Sequence, residues 1–122
     1  AAPKARMAHS ASRVASRDCV VLFGGGDGQV LFGDTWMLDL AASDVDALRD
    51  GGRSRGAVWA ELECRGAVPA PRMGHAATVT PDDRAVVVFG GFTLQGGQGV
   101  YGADMRALDC ATVSWAEVRV DP

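Results

Sequence analysis

Cys19-Val-Val-Leu-Phe-Gly-Gly25 and Ala85-Val-Val-Val-Phe-Gly-Gly91 decide how this chain folds. Each is a continuous apolar run, rich in Val and closed by Phe, that drives into a pair of glycines. A run of this length between turn residues suits a strand covered on both faces. The neighbouring blocks repeat along with it. Arg6-Met-Ala-His-Ser-Ala11 corresponds to Arg72-Met-Gly-His-Ala-Ala77 at the same shift of 66 residues. Downstream, Asp34-Thr-Trp-Met-Leu-Asp39 corresponds to Asp104-Met-Arg-Ala-Leu-Asp109 at a shift of 70, and Trp59-Ala-Glu-Leu62 to Trp115-Ala-Glu-Val118 at a shift of 56. The order of the blocks is kept and only the spacers change. The first copy carries about fourteen extra residues between Asp39 and Trp59.

Each block reads as a short strand. Residues 9–14 and 75–80 mix small and apolar side chains. Residues 35–40 alternate with a period near two, and 58–63 and 114–118 each set one Trp against alternating Glu. Turn residues separate them: Ser16-Arg-Asp18, glycines over 24–28, Pro81-Asp-Asp83 and Gly96-Gly97. A helical turn is expected only over 43–49, in the insert, where Ser43 caps and Asp46 follows three residues on. Four antiparallel strands in a repeat of about fifty residues make a propeller blade.

The joint pattern resembles two kelch repeats. The residues that carry the resemblance are P-x-x-R-M-A-H-S and P-R-M-G-H-A, then V-V-x-F-G-G, then D-x-x-x-L-D, then W, over nearly the whole chain. Ala8 where the second copy has Gly74, and the insert over 41–56, depart from the pattern. The resemblance implies an all-β fold of two four-stranded antiparallel blades of a kelch-type β-propeller. The first blade takes residues 1–66, with its inserted loop at 41–56, and the second takes 67–122. Two blades do not close a ring, so the neighbours come from a longer chain or from other copies, three of which give six blades. In such a blade the R-x-x-H block is innermost and the V-V-x-F strand lies beside it. Gly24, Gly25, Gly90 and Gly91 then end that strand and let a ring approach, the expected rings being Trp59 and Trp115. The following loops, 26–33 and 92–102, project from one face of the propeller.

Composition limits the functions. With 48% hydrophobic and 22% charged residues the chain is globular rather than disordered. A net charge of −3 gives no footprint for nucleic acid. No apolar run reaches the ~18 residues a membrane span needs, and no secretory leader is visible. Cys19, Cys64 and Cys110 are odd in number and scattered, which fits a reducing, cytoplasmic compartment. They make no metal-ligand spacing with His9 or His75, so neither metal nor cofactor is expected.

The remaining motifs have plain structural readings. His9 and His75, at equivalent places, are expected to bond backbone within their own blades. Asp34, Asp39, Asp104 and Asp109 repeat with the blade and suit turn and edge hydrogen bonds. Gly97 to Gly102 spells G-x-G-x-x-G, but a strand follows where a dinucleotide site needs a helix. Arg49, Arg53 and Arg55 form a basic loop around Ser54, a docking or phosphorylation segment if it has a role. The resemblance carries ligand-face positions to Arg6, Arg72, Asp27, Gln29, Phe92 and Gln95. The two arginines equally suit a brace within the blade, forked onto a carboxylate. The expected function is a noncatalytic protein-interaction module that binds a protein partner through loops at one face. The alternative is a portion of a larger enzyme, since galactose oxidase carries a kelch-like propeller whose copper is held by Tyr and His. Here Tyr101 is the one tyrosine.

Overall fold

The computed structural model describes residues 1–40 and 57–121, together with Arg49 and Gly51. The helical turn expected over 43–49 lies outside the described residues except for Arg49, as do Arg53, Ser54 and Arg55. The chain is all-β, 50% strand and 4% helical, the short helical turn Ala15–Arg17 joining the first two strands. Strands β1 (Ser10–Val14), β2 (Cys19–Phe23), β3 (Thr35–Asp39) and β4 (Val58–Leu62) come first. Two short strands follow, β5 (Arg65–Gly66) and β6 (Arg72–Met73), then β7 (Ala76–Val79) and β8 (Ala85–Phe89). A hairpin of β9 (Phe92–Gln95) and β10 (Gln98–Tyr101) precedes β11 (Met105–Asp109) and β12 (Ser114–Glu117). No helix among the described residues is long and apolar enough to cross a membrane.

The first sheet runs β1-β2-β3-β4, antiparallel throughout, and the second runs β7-β8-β11-β12 with β5 added in parallel to β12. The registers of the two sheets coincide. Ser10 faces Phe23 as Ala76 faces Phe89. Cys19 faces Asp39 as Ala85 faces Asp109. Leu38 faces Trp59 as Leu108 faces Trp115. The sequence repeat is therefore a repeat of pairing, and each copy is a four-stranded antiparallel blade.

The span expected as a simple loop over 92–102 is instead the hairpin β9–β10, paired with β6 in a third sheet. Gly96 and Gly97 turn it with φ of 59° and 82°, the doubly left-handed geometry that matches strand twist across a two-residue connection. The G-x-G-x-x-G motif is thus hairpin turn and β10.

The core lies between the sheets, not within either one. Val14, Cys19, Val21 and Phe23 of the first blade meet Val86, Val88, Leu108 and Trp115 of the second. The Phe23 ring sits 5.1 Å from that of Trp115 and 5.2 Å from that of His75. Burying a side chain of this size contributes about 1.5–3 kcal/mol, so this joint carries much of the apolar stabilisation. The Trp115 indole N–H has no partner among the described residues. Burial pushes the Cys19 and Cys110 thiols up, which keeps them protonated and poorly nucleophilic.

Coverage on both faces, expected of both apolar runs, holds for one. β2 is buried on either side, whereas β8 is covered through Val86 and Val88 only and leaves Phe89 47% exposed. The difference follows from position, since the second blade covers β2 and no described sheet covers the corresponding face of β8. His75 also departs from expectation. Its Nε2 hydrogen-bonds the Ser10 hydroxyl of the other blade at 2.9 Å, so it joins blades instead of bracing its own.

Candidate functional site

The glycine pairs organise the loop face. Gly24 and Gly25 have φ of 70° and 101°, and Gly90 and Gly91 have φ of 72° and 91°, backbone that side-chain-bearing residues avoid. What approaches them is not a Trp ring, as the sequence suggested. A Cβ on Gly25 would stand 2.8 Å from the Met7 carbonyl oxygen, and one on Gly91 would stand 2.9 Å from that of Met73. A Cβ on Gly24 would meet His75 Cε1 at 2.7 Å. The pairs thus let the chain press on the residues leading into each innermost strand, and on the neighbouring blade.

Behind each pair stands a brace. Arg6 forks onto Asp34, with Nη1 to Oδ1 at 2.5 Å and Nη2 to Oδ2 at 2.9 Å, and Nη1 also donates to the Gly24 carbonyl at 3.1 Å. Arg72 forks onto Asp104 at 2.8 and 3.0 Å and donates to the Gly90 carbonyl at 3.0 Å. Each Nε donates to the carbonyl two residues back, Lys4 or Ala70. Hydrogen bonds from these arginines hold the Asp34 and Asp104 carboxyls below the usual carboxylate range, against the opposing effect of burial. Arg6 also lies over the Phe32 ring, 4.3 Å from its centroid. Both guanidiniums face into the blade, and Arg72 is buried. Asp109 caps the turn after β11, accepting from the N–H groups of Ala111 and Thr112.

In front of the braces a groove of about 460 Å³ crosses the junction of the two repeats. One wall is the tight turn over 26–31. Gly26 and Met7 exchange both backbone hydrogen bonds there, and the Asp27 carboxylate accepts the N–H groups of Gln29 and Val30. That turn holds Val30 and Leu31 against the groove. The opposite wall is the β9–β10 hairpin. Gly99 on β10 leaves room for the Phe92 ring, which stacks edge-on against Tyr101 at 5.8 Å. Met73, paired with Phe92, forms the floor. Met7, Val30 and Leu94 line the groove and are more than half exposed, and no charged side chain contributes to its lining.

Of the six positions carried over by resemblance, Gln29 and Phe92 line this groove. Asp27 shapes its turn, and Gln95 lies at the hairpin tip, paired with Gln98. Arg6 and Arg72 serve as braces. Sequence reasoning missed Met7, Val30, Leu31, Met73 and Leu94. The available signal was Val30-Leu31-Phe32, an apolar run inside a glycine-rich loop with no strand of its own.

No curated protein matches the sequence. Among solved structures, the chain is similar to one in a cryo-EM structure of RAG in complex with one melted RSS and one unmelted RSS, with a TM-score of 0.70 at 18% identity. That likeness, which shows the fold, covers 93% of this chain and 35% of the other. A family profile described as the KLHDC2/KLHL20/DRC7 Kelch-repeats domain matches residues 1–122. Domains of this kind are generally noncatalytic modules that bind protein partners. Matched along its length by that profile, and repeating one blade register twice, the chain belongs to the kelch-repeat family.

Proposed function

We propose that this chain is a protein-interaction module whose loop-face groove takes an apolar segment of a protein partner. The supporting observation is the uncharged groove itself, where Met7, Val30 and Leu94 remain more than half exposed on hydrogen-bonded backbone. Apolar side chains held open on a fixed scaffold favour docking of a complementary apolar segment, because their burial needs little further ordering. Methionine at the floor and rim adds adaptable, polarisable contact. Gln29 and Gln95 supply polar contacts at the margin, and Asp27 acts through the turn it caps. Residues of both repeats line the groove, so both contribute to it.

The test is selection from a random peptide library on immobilised wild-type chain and on Leu94→Asp, whose side chain is exposed enough for the fold to tolerate the change. The expected result is enrichment of apolar peptides by wild type and loss of that enrichment in the variant at unchanged melting temperature. Equal enrichment by both, or none by wild type, would overturn the reading.

A further inference from the structure

We infer that β10 is a docking edge, where an extended, uncharged segment of a protein partner with apolar residues at alternate positions adds as a further strand. The parity of the hairpin carries this. Gln98 pairs with Gln95 across the two-residue turn, and at the other end the Gly102 N–H donates to the Gly91 carbonyl at 2.8 Å. Hydrogen-bonded pairs alternate along an antiparallel ladder, so Gln98, Val100 and Gly102 turn their N–H and C=O groups toward the preceding strand. Gly99 and Tyr101 turn theirs away from it. The third sheet ends at β10, and among the described residues no backbone hydrogen bond reaches Gly99 or Tyr101 from outside that sheet. Two N–H and two C=O groups thus stand in a row with no strand against them.

Nothing along this edge turns a strand away. Natural edges are guarded by charge, proline or a bulge. From Phe92 to Ala103 there is no charged residue and no proline, and the pairing from Gln98 to Tyr101 runs without a bulge. A blade packed on the second as the second packs on the first would leave the edge open as well. Leu31 holds the place of Tyr101 in the first repeat, bridged to Gly26 as Tyr101 is paired with Phe92. The second blade bonds that loop through Arg72, to Gly25 and Phe32, and makes no backbone hydrogen bond to Leu31. The equivalent contacts would fall on Gly91 and Gly102. β10 takes no part in lining the groove, so this surface is separate from it.

The edge also defines what fits it. Only another extended main chain matches alternating N–H and C=O groups, and such a strand draws its affinity from the backbone and its specificity from alternate side chains. Cross-strand partners share a face, so Gly99 and Tyr101 stand on the side of Leu94 and Phe92. Gly99 leaves that side bare: a Cβ there would fall 2.3 Å from Phe92 Cζ. Tyr101 stands next to the gap and is 86% exposed. A partner residue opposite Gly99 lays its side chain beside the Phe92 ring, and the residue two positions along flanks Tyr101. Both places favour apolar groups, β-branched ones above all, since these pair well with aromatic rings across strands.

Selection from a random decapeptide library tests this on the immobilised chain and on Tyr101→Thr and Tyr101→Pro. Both variants lose the ring, but Thr keeps the N–H that Pro lacks. That N–H points away from the preceding strand, so proline at this edge leaves the hairpin paired. Peptides with alternating apolar residues, enriched by wild type, should be held by Tyr101→Pro roughly tenfold more weakly than by Tyr101→Thr, at unchanged melting temperature. Adding one such peptide to wild type should slow hydrogen exchange at the Gly99 and Tyr101 amides. Peptides released by Leu94→Asp but held equally by both Tyr101 variants would belong to the groove and overturn the edge, whereas peptides kept by Leu94→Asp and lost from Tyr101→Pro would support the edge against the groove. Enrichment of no peptide, or no slowing at these two amides, would overturn it. Wild-type self-association abolished by Tyr101→Pro would give the edge to a second copy and overturn the partner segment.

Discussion

Trp36 and Arg106 hold the same place in successive blades, and each donates an N–H to the aspartate two residues before it: Trp36 Nε1 to Asp34 Oδ2 at 2.7 Å, Arg106 Nε to Asp104 Oδ2 at 3.1 Å. An indole and a guanidinium thus do one task, which is to occupy the carboxylate that the deeper arginine grips. The carboxylate is the constant element, and its occupied lone pairs make a partly buried charge tolerable.

Arg72→Ala should therefore act on stability. It strands Asp104 without its fork and frees the Gly90 carbonyl. Asp104 is partly exposed and keeps Arg106, so the loss should be about 1–3 kcal/mol, below that of a fully buried pair. Arg72→Lys should recover little of this, because a single ammonium cannot make the forked contact. Urea denaturation followed by tryptophan fluorescence reads both. An unchanged midpoint for Arg72→Ala would show that the brace contributes nothing.

The glycine pair makes a second, comparative case. At Gly24 an added methyl would stand 2.7 Å from His75 Cε1 and 2.8 Å from the Arg72 carbonyl oxygen. At Gly90, with the same backbone, it would meet nothing nearer than 3.5 Å. Gly90→Ala should cost only the left-handed backbone penalty, about 1–2 kcal/mol. Gly24→Ala should cost clearly more, because the inter-blade joint must also shift. Equal losses in melting temperature would mean that the blades do not interlock at this glycine.

Acid should weaken the fold in two stages. Burial lowers the His75 pKa, the charge of Arg72 adds to this, and His9 adds a smaller push. The folded state thus resists protonation that the unfolded chain accepts. That contribution is full above the unfolded value near 6.5 and is lost as pH falls from there through the lower folded value. Asp34 and Asp104, held low chiefly by hydrogen bonds from Arg6 and Arg72, contribute fully above about 3.9 and fail as pH falls through their own folded values. Denaturation midpoints from pH 8 to pH 2 should show both declines. His75→Gln should flatten the slope between pH 7 and 5 and leave the lower stage intact. A wild-type profile flat to pH 4 would show that His75 takes its proton without cost.

The strands β2 and β8 coincide with their apolar runs, and the repeat of register was written in the spacing of Arg6, Gly24, Asp34 and Trp59 against Arg72, Gly90, Asp104 and Trp115. Strand identity is local, set by β-branched content and turn residues, and so survives translation from one dimension to three. The β9–β10 hairpin was less legible. Its strands have four residues each, and in β10 Gln98 and Gly99 dilute the two strand formers Val100 and Tyr101. The groove was harder still, since Met7 and Leu94 are ordinary apolar residues until two loops from different repeats bring them together.

The residue pattern alone determined that this chain folds as two equivalent kelch-type blades, because period, pairing register and turn chemistry all lie within some fifty neighbouring residues. It could not decide what equivalent residues do. His9 and His75, Phe23 and Phe89, Gly24 and Gly90 are matched letters with unmatched surroundings. Burial is a property of what lies across a joint, and only the packing of one sheet on the next assigns one member of each pair to the core and leaves the other at the surface.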